Sequence, residues 1–379
     1  MEYKKLKDIA DLIGGYAFKS DKYVNSGIRI IRIANVQDGY ISDDYPCFYP
    51  LNKEVEIGNA ILKENDLLMS LTGNVGRVAI LSRDLLPAGL NQRVECIRPK
   101  KPSLKPYLYY YFRSNHFKQT AEKNSSGIAQ LNMSTVWLSE HQVPIYESKK
   151  TFFIVKQLSI IDDLIAKEQK QLALYDELIK SRFIEMFSNV QTKKTLEELT
   201  TKITDGSHLP PKGIEKSDYL MLSSQNIYDE LNLSDVRYLT KEDFEKENKR
   251  TNIQKGDVLL TIVGTIGRTY VVKDSDKYVF QRSVGVIKPI EGVLNGTYLS
   301  EYLKTPEAIN QLESGGHGSS QKGIYLKDLK QLLIPLADFS NQLEFESYVK
   351  LIDKSKFIIQ KRINLYKELL DKKMAEFFE

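Results

Sequence analysis

Apolar residues recur along two stretches of this chain at alternating spacings of four and three. In the first stretch, 152–187, the series is Ile154, Leu158, Ile161, Ile165, Leu172, Tyr175, Ile179 and Met186, with Glu168 and Arg182 as polar interruptions. In the second it is Phe345, Val349, Ile352, Ile359, Ile363, Tyr366, Leu370 and Phe377, interrupted by Lys356 and Lys373. Neither stretch contains Gly or Pro. About five heptads of this kind predict a long helix with a coiled-coil seam in each place. Each helix would be about 54 Å long at 1.5 Å per residue. A seam this narrow has to be buried, and the other helix is the obvious partner. Because the helices alternate with globular segments, an antiparallel pairing closes the molecule about a pseudo-two-fold axis. Packing of each helix on its own globular segment is the open alternative.

The rest of the chain follows a different pattern. Short β-rich runs such as IRIIRIANV (28–36), LLMSLTG (67–73) and YVVKD (270–274) are separated by Gly, Asn, Asp and Pro. Helical segments follow, PYLYYYFRSNHFKQTAEK (106–123) and TYLSEYLKTPEAINQLES (297–314). The expected fold is therefore α+β, two mixed α/β domains at 1–150 and 189–340, each followed by a long helix at 151–188 and 341–379.

The two halves are copies. DLLMSLTGNVGR (66–77) and DVLLTIVGTIGR (257–268) lie 191 residues apart. At the same offset Asn35-Val36 falls on Asn226-Ile227, Gly127 and Gln130 on Gly318 and Gln321, Leu138 on Leu329, and Pro144 on Pro335. Gln92-Arg93 matches Gln281-Arg282 after a slip of two, which a small loop difference explains. Matches spread over the whole length indicate tandem duplication of a unit too long for a solenoid repeat.

Composition narrows the classes. Of 379 residues, 41% are hydrophobic and 27% charged, and the net charge is only +4, so a nucleic-acid surface has to come from local clustering. The two cysteines, Cys47 and Cys96, have no metal or redox spacing. No signal-peptide core and no membrane-length apolar run is present, which leads us to expect a cytoplasmic protein without membrane contact.

GNVGR and GTIGR lack the spacing and the Lys-Ser/Thr of a phosphate-binding loop, and a strand rather than a helix follows each. They read as hairpin turns using glycine for positive φ, from whose tips Arg77 and Arg268 can be presented. Gln92 and Arg93, and Gln281 and Arg282, form a second candidate pair. A third is the small-polar loop NSSGIAQLN (124–132), with Ser125, Ser126 and Gln130. Its counterpart SGGHGSSQKG (314–323) carries Ser319, Ser320, Gln321 and Lys322, suited to phosphate contact. GGYAFKS (14–20) and DGSHLPPKG (205–213) add Lys19 and Lys212, and the matched Asn35 and Asn226 complete the set.

Catalytic signatures are missing. The histidines, His116, His141, His208 and His317, have no metal-ligand spacing, and there is no G-x-S-x-G elbow. The only Pro-Pro pair, Pro210-Pro211, lacks the aromatic residue of an amino-methyltransferase. We therefore expect no metal, no cofactor and no catalysis. A duplicated framework without catalytic residues favours recognition, of DNA or, alternatively, of proteins by a non-catalytic coiled-coil scaffold.

GYAFKS, the two D-L-L/V-L-L hairpins, NQRV and FQRS, SSQKGIYLKDLKQLLIPL, and the helices ending LYDELIKSRFIEMF and LYKELLDKKMAEFF resemble, in that order, the specificity subunit of type I restriction–modification enzymes. The resemblance implies two target recognition domains, each reading one half of a bipartite duplex sequence, with the helices as a ruler. It also implies two modification subunits, which bind S-adenosylmethionine, and in the full enzyme two ATP-dependent restriction subunits. Half-sites read from one face of B-DNA lie about 34–36 Å apart, within the span of such helices.

Overall fold

In the computed structural model, which describes residues 1–127, 130–228, 230–274, 277–314 and 323–379, the continuous apolar runs become strands buried on both faces. Packing divides the chain into Met1–Gln169 with Gln360–Glu379, and Lys170–Ile359. The division cuts through the long helices, so each unit takes half of each.

The first unit holds a four-stranded antiparallel sheet in the order Ala10–Gly14, Val94–Pro99, Leu67–Ser70, Val78–Ile80. A mixed three-stranded sheet, Phe48–Tyr49, Ile28–Ile31 and Ala88–Leu90, packs on it through Leu68, Ala79, Val94, Cys96, Ile28, Ile30 and Leu90. Each fully buried aliphatic side chain of this kind contributes roughly 1.5–3 kcal/mol. Strand Glu2–Lys5 pairs with Gln142–Ile145 to close the unit.

The second unit repeats the plan. Thr200–Asp205, Val284–Pro289, Val258–Thr261 and Thr269–Val271 form the four-stranded sheet, and Arg237–Leu239, Tyr219–Leu222 and Tyr278–Phe280 the mixed one. Lys193–Thr195 pairs with Leu333–Pro335. Val258, Leu260 and Ile287 turn their other face to Tyr298, Leu299 and Tyr302 of helix Gly296–Leu303.

Polar anchors repeat as well. Asp66 takes a two-bonded ion pair from Arg98 at 2.6 and 2.8 Å, and its copy Asp257 is paired by Lys288. The buried Tyr107 and Tyr298 hydroxyls donate to the carbonyls of Pro144 and Pro335. Each hydroxyl thereby ties a helix to the closing strand pair.

Both long helices have 40 residues, Ser148–Phe187 and Phe339–Phe378. In the first unit Ile154, Leu158, Ile161, Ile165, Ile363 and Leu370 are buried, and Arg362 donates to Glu168 at 2.9 Å. In the second, Ile179, Val349, Ile352 and Ile359 are buried, while Phe345 meets Phe183 and Phe187 at 5.4 and 5.6 Å between ring centroids. Lys356 donates to Asp176 at 2.6 Å and Arg182 to Glu344 at 3.2 Å. Within each unit, rising numbers on one helix meet falling numbers on the other, so the helix halves run antiparallel. Leu172 is half-buried, as are Tyr175, Met186 and Tyr366. Packing on the globular segment is realised too: Ile179, Phe183, Val349 and Ile352 share one core with Tyr298 and Leu299. Among the described residues, no helix is long and apolar enough to cross a membrane.

One buried charge breaks the copy relation. Glu95 pairs across the sheet with Met69 and Gly14; the matching place in the second unit is held by Gly285, opposite Leu260 and Asp205. Glu95 is 3% exposed, its Oε2 has no hydrogen-bond partner among the described residues, and burial raises its carboxyl to about 7. A carboxyl whose pKa is raised by folding binds its proton more tightly in the native state. Stability is therefore expected to fall as pH rises from about 4, the unfolded value, to about 7, and to level off above. Glu95→Gln should flatten that slope and gain on the order of 2 kcal/mol at pH 8. Denaturant titrations at pH 5 and pH 8 check this; equal slopes in both proteins would refute it.

Candidate nucleic-acid interface

The two glycine loops are hairpin turns. Leu67–Ser70 runs antiparallel to Val78–Ile80, and Val258–Thr261 to Thr269–Val271. Gly73 and Gly76 have φ of 74° and 77°, Gly264 and Gly267 of 83° and 91°, a region closed to most side chains. Inside the first loop the Ser70 hydroxyl donates to the Asn74 carbonyl at 2.6 Å and accepts from the Arg77 amide at 3.1 Å. Thr261 does the same with Thr265 and Arg268. A buried hydroxyl thus fixes the loop from within, and the arginine leaves from its closing residue.

Two further segments join each hairpin by backbone bonds. The Leu71 amide donates to the Arg93 carbonyl at 3.0 Å, and Gly73 to Leu131 at 2.8 Å. In the second unit Ile262 donates to Ser283 at 3.0 Å, Ile324 to Ile262 at 2.8 Å, and Gly323 bridges Val263. The Gln-Arg turn and the glycine hairpin are therefore adjacent in both units, with the third loop beside them in the first and Gly323 beside Val263 in the second. Gln92, Arg93, Gln130 and Arg282 are exposed there, and Gln281 is half-buried. The Gln130 amide lies beside Gly73. In the first unit a hollow of about 200 Å³ opens between Ile33, Ala34, Val36, Ser70, Thr72, Gly73, Asn74 and Arg77.

The N-terminal loops reach the same turns through a glycine. A β-carbon on Gly15 would stand 2.1 Å from the Asn91 carbonyl oxygen, and one on Gly206 2.0 Å from that of Phe280. Only glycine lets the chain pass so close, bringing Tyr16 beside Asn91 and Ser207 beside Gln281. Lys19 and Lys212 follow on these loops and are exposed.

Several framework cations are held by carboxylates, whereas Arg32 and Arg237 donate to the Tyr45 and Pro211 carbonyls. Arg98, Lys288, Arg113 and Arg250 are each paired with carboxylates. Among the described residues, Lys19, Arg77, Arg93, Lys212, Arg268 and Arg282 have no carboxylate within salt-bridge range. Arg77 donates instead to Gln37 Oε1 at 2.8 Å, and Arg268 stacks on the Tyr228 ring.

Several expected residues are placed differently. Asn35 and Asn226 are corrected: both are buried, with their amides used inside the protein. Asn35 accepts from the Arg32 amide and donates to the Ser42 carbonyl, both at 2.9 Å. Asn226 accepts from the Ser223 amide at 2.8 Å and donates to Asn232 and Asp235 at 2.8 and 2.9 Å. They clip a loop and are not available to DNA. Ser125 donates to the Ala121 carbonyl, ending helix Asn115–Lys123, and Ser126 bridges Asn132. Ser319, Ser320, Gln321 and Lys322 lie outside the described residues. Gln37 and Tyr228 escaped the sequence reading. They stand at the 191-residue offset, but as unlike residues they leave no trace in a comparison of identities.

His141 and His208 have structural surroundings, and His317 lies outside the described residues. His141 contacts Tyr111, whose hydroxyl lies 2.7 Å from its Nε2, and burial and nearby His116 lower its pKa to about 4. His208 sits 2.7 Å from Asp205. Among the described residues, no group of three His, Cys, Asp or Glu side chains could hold a metal ion.

Comparison with known proteins places this geometry. A family model described as "Type I restriction modification DNA specificity domain" matches residues 1–174 and again 189–367. The chain is 23% identical to the type I restriction enzyme EcoBI specificity subunit of Escherichia coli, over 95% of this chain and 80% of that protein. It is 29% identical to the MjaVIII specificity subunit of Methanocaldococcus jannaschii over 45% of this chain and 41% of that one. The crystal structure of the type I restriction–modification S subunit from M. genitalium shares the fold, with a TM-score of 0.52, 14% identity, and coverage of 100% of this chain and 96% of that one.

Proposed function

The chain belongs to the type I restriction–modification DNA specificity domain family, and from that premise we propose that its two domains each read one half of a bipartite duplex DNA target. The observation that carries this reading is the set of unpaired cations on matching loops. A framework that pairs Arg29, Arg98, Arg113, Arg182, Arg250 and Arg362 with carboxylates leaves Arg77, Arg93, Lys19 and their counterparts Arg268, Arg282 and Lys212 without one among the described residues. Phosphate oxygens supply the missing anions, and Gln92, Gln130 and Gln281 add donors and acceptors for base edges. Ser125, Ser126 and the loop with Ser319, Ser320, Gln321 and Lys322 complete the proposed contact set.

The chain carries no chemistry of its own in this reading. S-adenosylmethionine and ATP bind its partner subunits, two modification subunits and, in the full enzyme, two restriction subunits, in the cytoplasm. The helices offer surfaces for equivalent partners. Phe152, Ile160, Leu365 and Leu369 are exposed in the first unit, and their 191-residue counterparts Leu343, Leu351, Leu174 and Leu178 in the second. Apolar residues kept exposed in both copies support one docking surface per copy.

Two experiments test this reading. Gel shifts on the chain reconstituted with its modification subunit should show one preferred duplex and affinity falling steeply with salt. Equal binding to all duplexes would refute recognition. The helices act as the ruler, so adding one heptad to each, after Gln169 and after Ile359, should move the domains roughly 10 Å and lengthen the preferred spacer by about three base pairs. An unchanged spacer would count against the ruler.

A further inference from the structure

The hairpin arginine is the same in both domains, but the residue that holds it is not. Gln37 and Tyr228 occupy matching positions 191 residues apart. Gln37 is fixed at both ends: its Oε1 accepts from Arg77 Nη1 and its Nε2 donates to the Ala34 carbonyl, each at 2.8 Å. That bond consumes a donor at one end of the guanidinium and leaves the edge made by Nε and Nη2. In the second domain the Arg268 guanidinium carbon lies 4.1 Å from the centroid of the Tyr228 ring. Among the described residues, none of the Arg268 side-chain N–H groups is taken. Ring stacking fixes the plane of the guanidinium without using a donor. Tyr228 is itself 43% exposed, so the stacked pair stands at the surface.

We propose that residues 37 and 228 are specificity-determining positioning residues, Tyr228 presenting Arg268 as a flat two-donor fork to a guanine edge in one half-site. Guanine O6 and N7 are the acceptors that such a fork fits. Gln37 leaves Arg77 its Nε–Nη2 edge while, among the described residues, Arg268 keeps every donor, so the two domains hold one residue type in two ways. This is a means for a duplicated framework to read two unlike half-sites without changing its loop arginine. The inference rests on the DNA reading above.

The test uses the chain reconstituted with its modification subunit and a pool of duplexes randomised in both half-sites. Arg268→Ala is the reference, and Tyr228→Phe, Tyr228→Ala and Tyr228→Gln are the probes. Tyr228→Phe keeps the ring and should keep the wild-type preference. Tyr228→Ala and Tyr228→Gln should lower discrimination at one base pair of one half-site by about 2- to 30-fold. The other half-site and the melting temperature should be unchanged. Gln37→Tyr should alter preference in the other half-site alone. If Arg268→Ala acts but Tyr228→Ala and Tyr228→Gln do not, the positioning role is wrong and the DNA reading survives. If Arg268→Ala has no effect on binding, the hairpin contact fails and the inference with it. A uniform affinity loss over all sequences would mean a phosphate contact and would overturn the guanine assignment.

Discussion

Arg268→Ala in the reconstituted complex is expected to weaken binding of the preferred duplex by about 5- to 150-fold, through one half-site only. The range is that of a single two-bonded arginine–guanine contact. The fold should not pay for this loss, because among the described residues the Arg268 side chain makes no hydrogen bond or ion pair and stacks on Tyr228. Backbone groups hold the hairpin: the Arg268 amide donates to the Thr261 hydroxyl at 2.9 Å, and Gly267 to the Thr261 carbonyl at 3.1 Å. Those bonds survive truncation to alanine. The melting temperature should therefore stay within a degree or two of wild type, while duplexes altered in the affected half-site no longer compete less well than the preferred one. Arg77→Ala should do the same through the other half-site. A marked fall in melting temperature, with both half-sites weakened together, would assign the arginine to the hairpin and not to DNA.

The second large effect concerns glycine. In Gly206→Ala the new methyl would stand 2.0 Å from the Phe280 carbonyl oxygen and 2.5 Å from that of Gln281. Neither carbonyl can withdraw cheaply. The Ser207 amide donates to Phe280 at 2.7 Å, and the Arg282 amide returns a bond to Ser207 at 2.9 Å. The loop has to lift from the sheet or the Gln-Arg turn has to open, at a cost on the order of 3 kcal/mol or more. For a domain of this size the melting temperature should drop by roughly 6–12 °C. Gly15→Ala meets the same obstacle at Asn91, whereas a β-carbon on Gly14 meets nothing within 4 Å. Gly14→Ala should be close to neutral, which makes the adjacent pair an internal control. Equal melting temperatures for Gly14→Ala and Gly15→Ala would refute the close-approach argument.

The duplication, the helices and the hairpins were legible because each rests on a local period or on a residue type with one backbone use. Gly73, Gly76, Gly264 and Gly267 needed positive φ, and Ile154, Leu158, Val349 and Ile352 needed a buried stripe. The roles of matched polar residues were not legible. Asn35 and Asn226 recur because each clips a loop from inside, and a matched asparagine in a sequence looks the same whether it binds a base or a backbone. Gln37 and Tyr228 were hidden for the opposite reason: their position repeats while their chemistry differs. Glu95 stood in an apolar run, but only the sheet register shows that glycine fills the matching place in the second unit. Leu172, Tyr175, Met186 and Tyr366 keep the heptad spacing but are only half-buried, since spacing sets the side of a helix and not how fully it is covered.

The central claim is that two domains of one chain read two separate half-sites. Mapping methylated bases across the genome of a host that expresses this chain with its modification subunit tests it most directly. The expected result is one bipartite motif with a fixed spacer, and Arg268→Ala should relax one half of it and leave the other intact. A single uninterrupted motif, or equal relaxation of both halves by that one substitution, would contradict it.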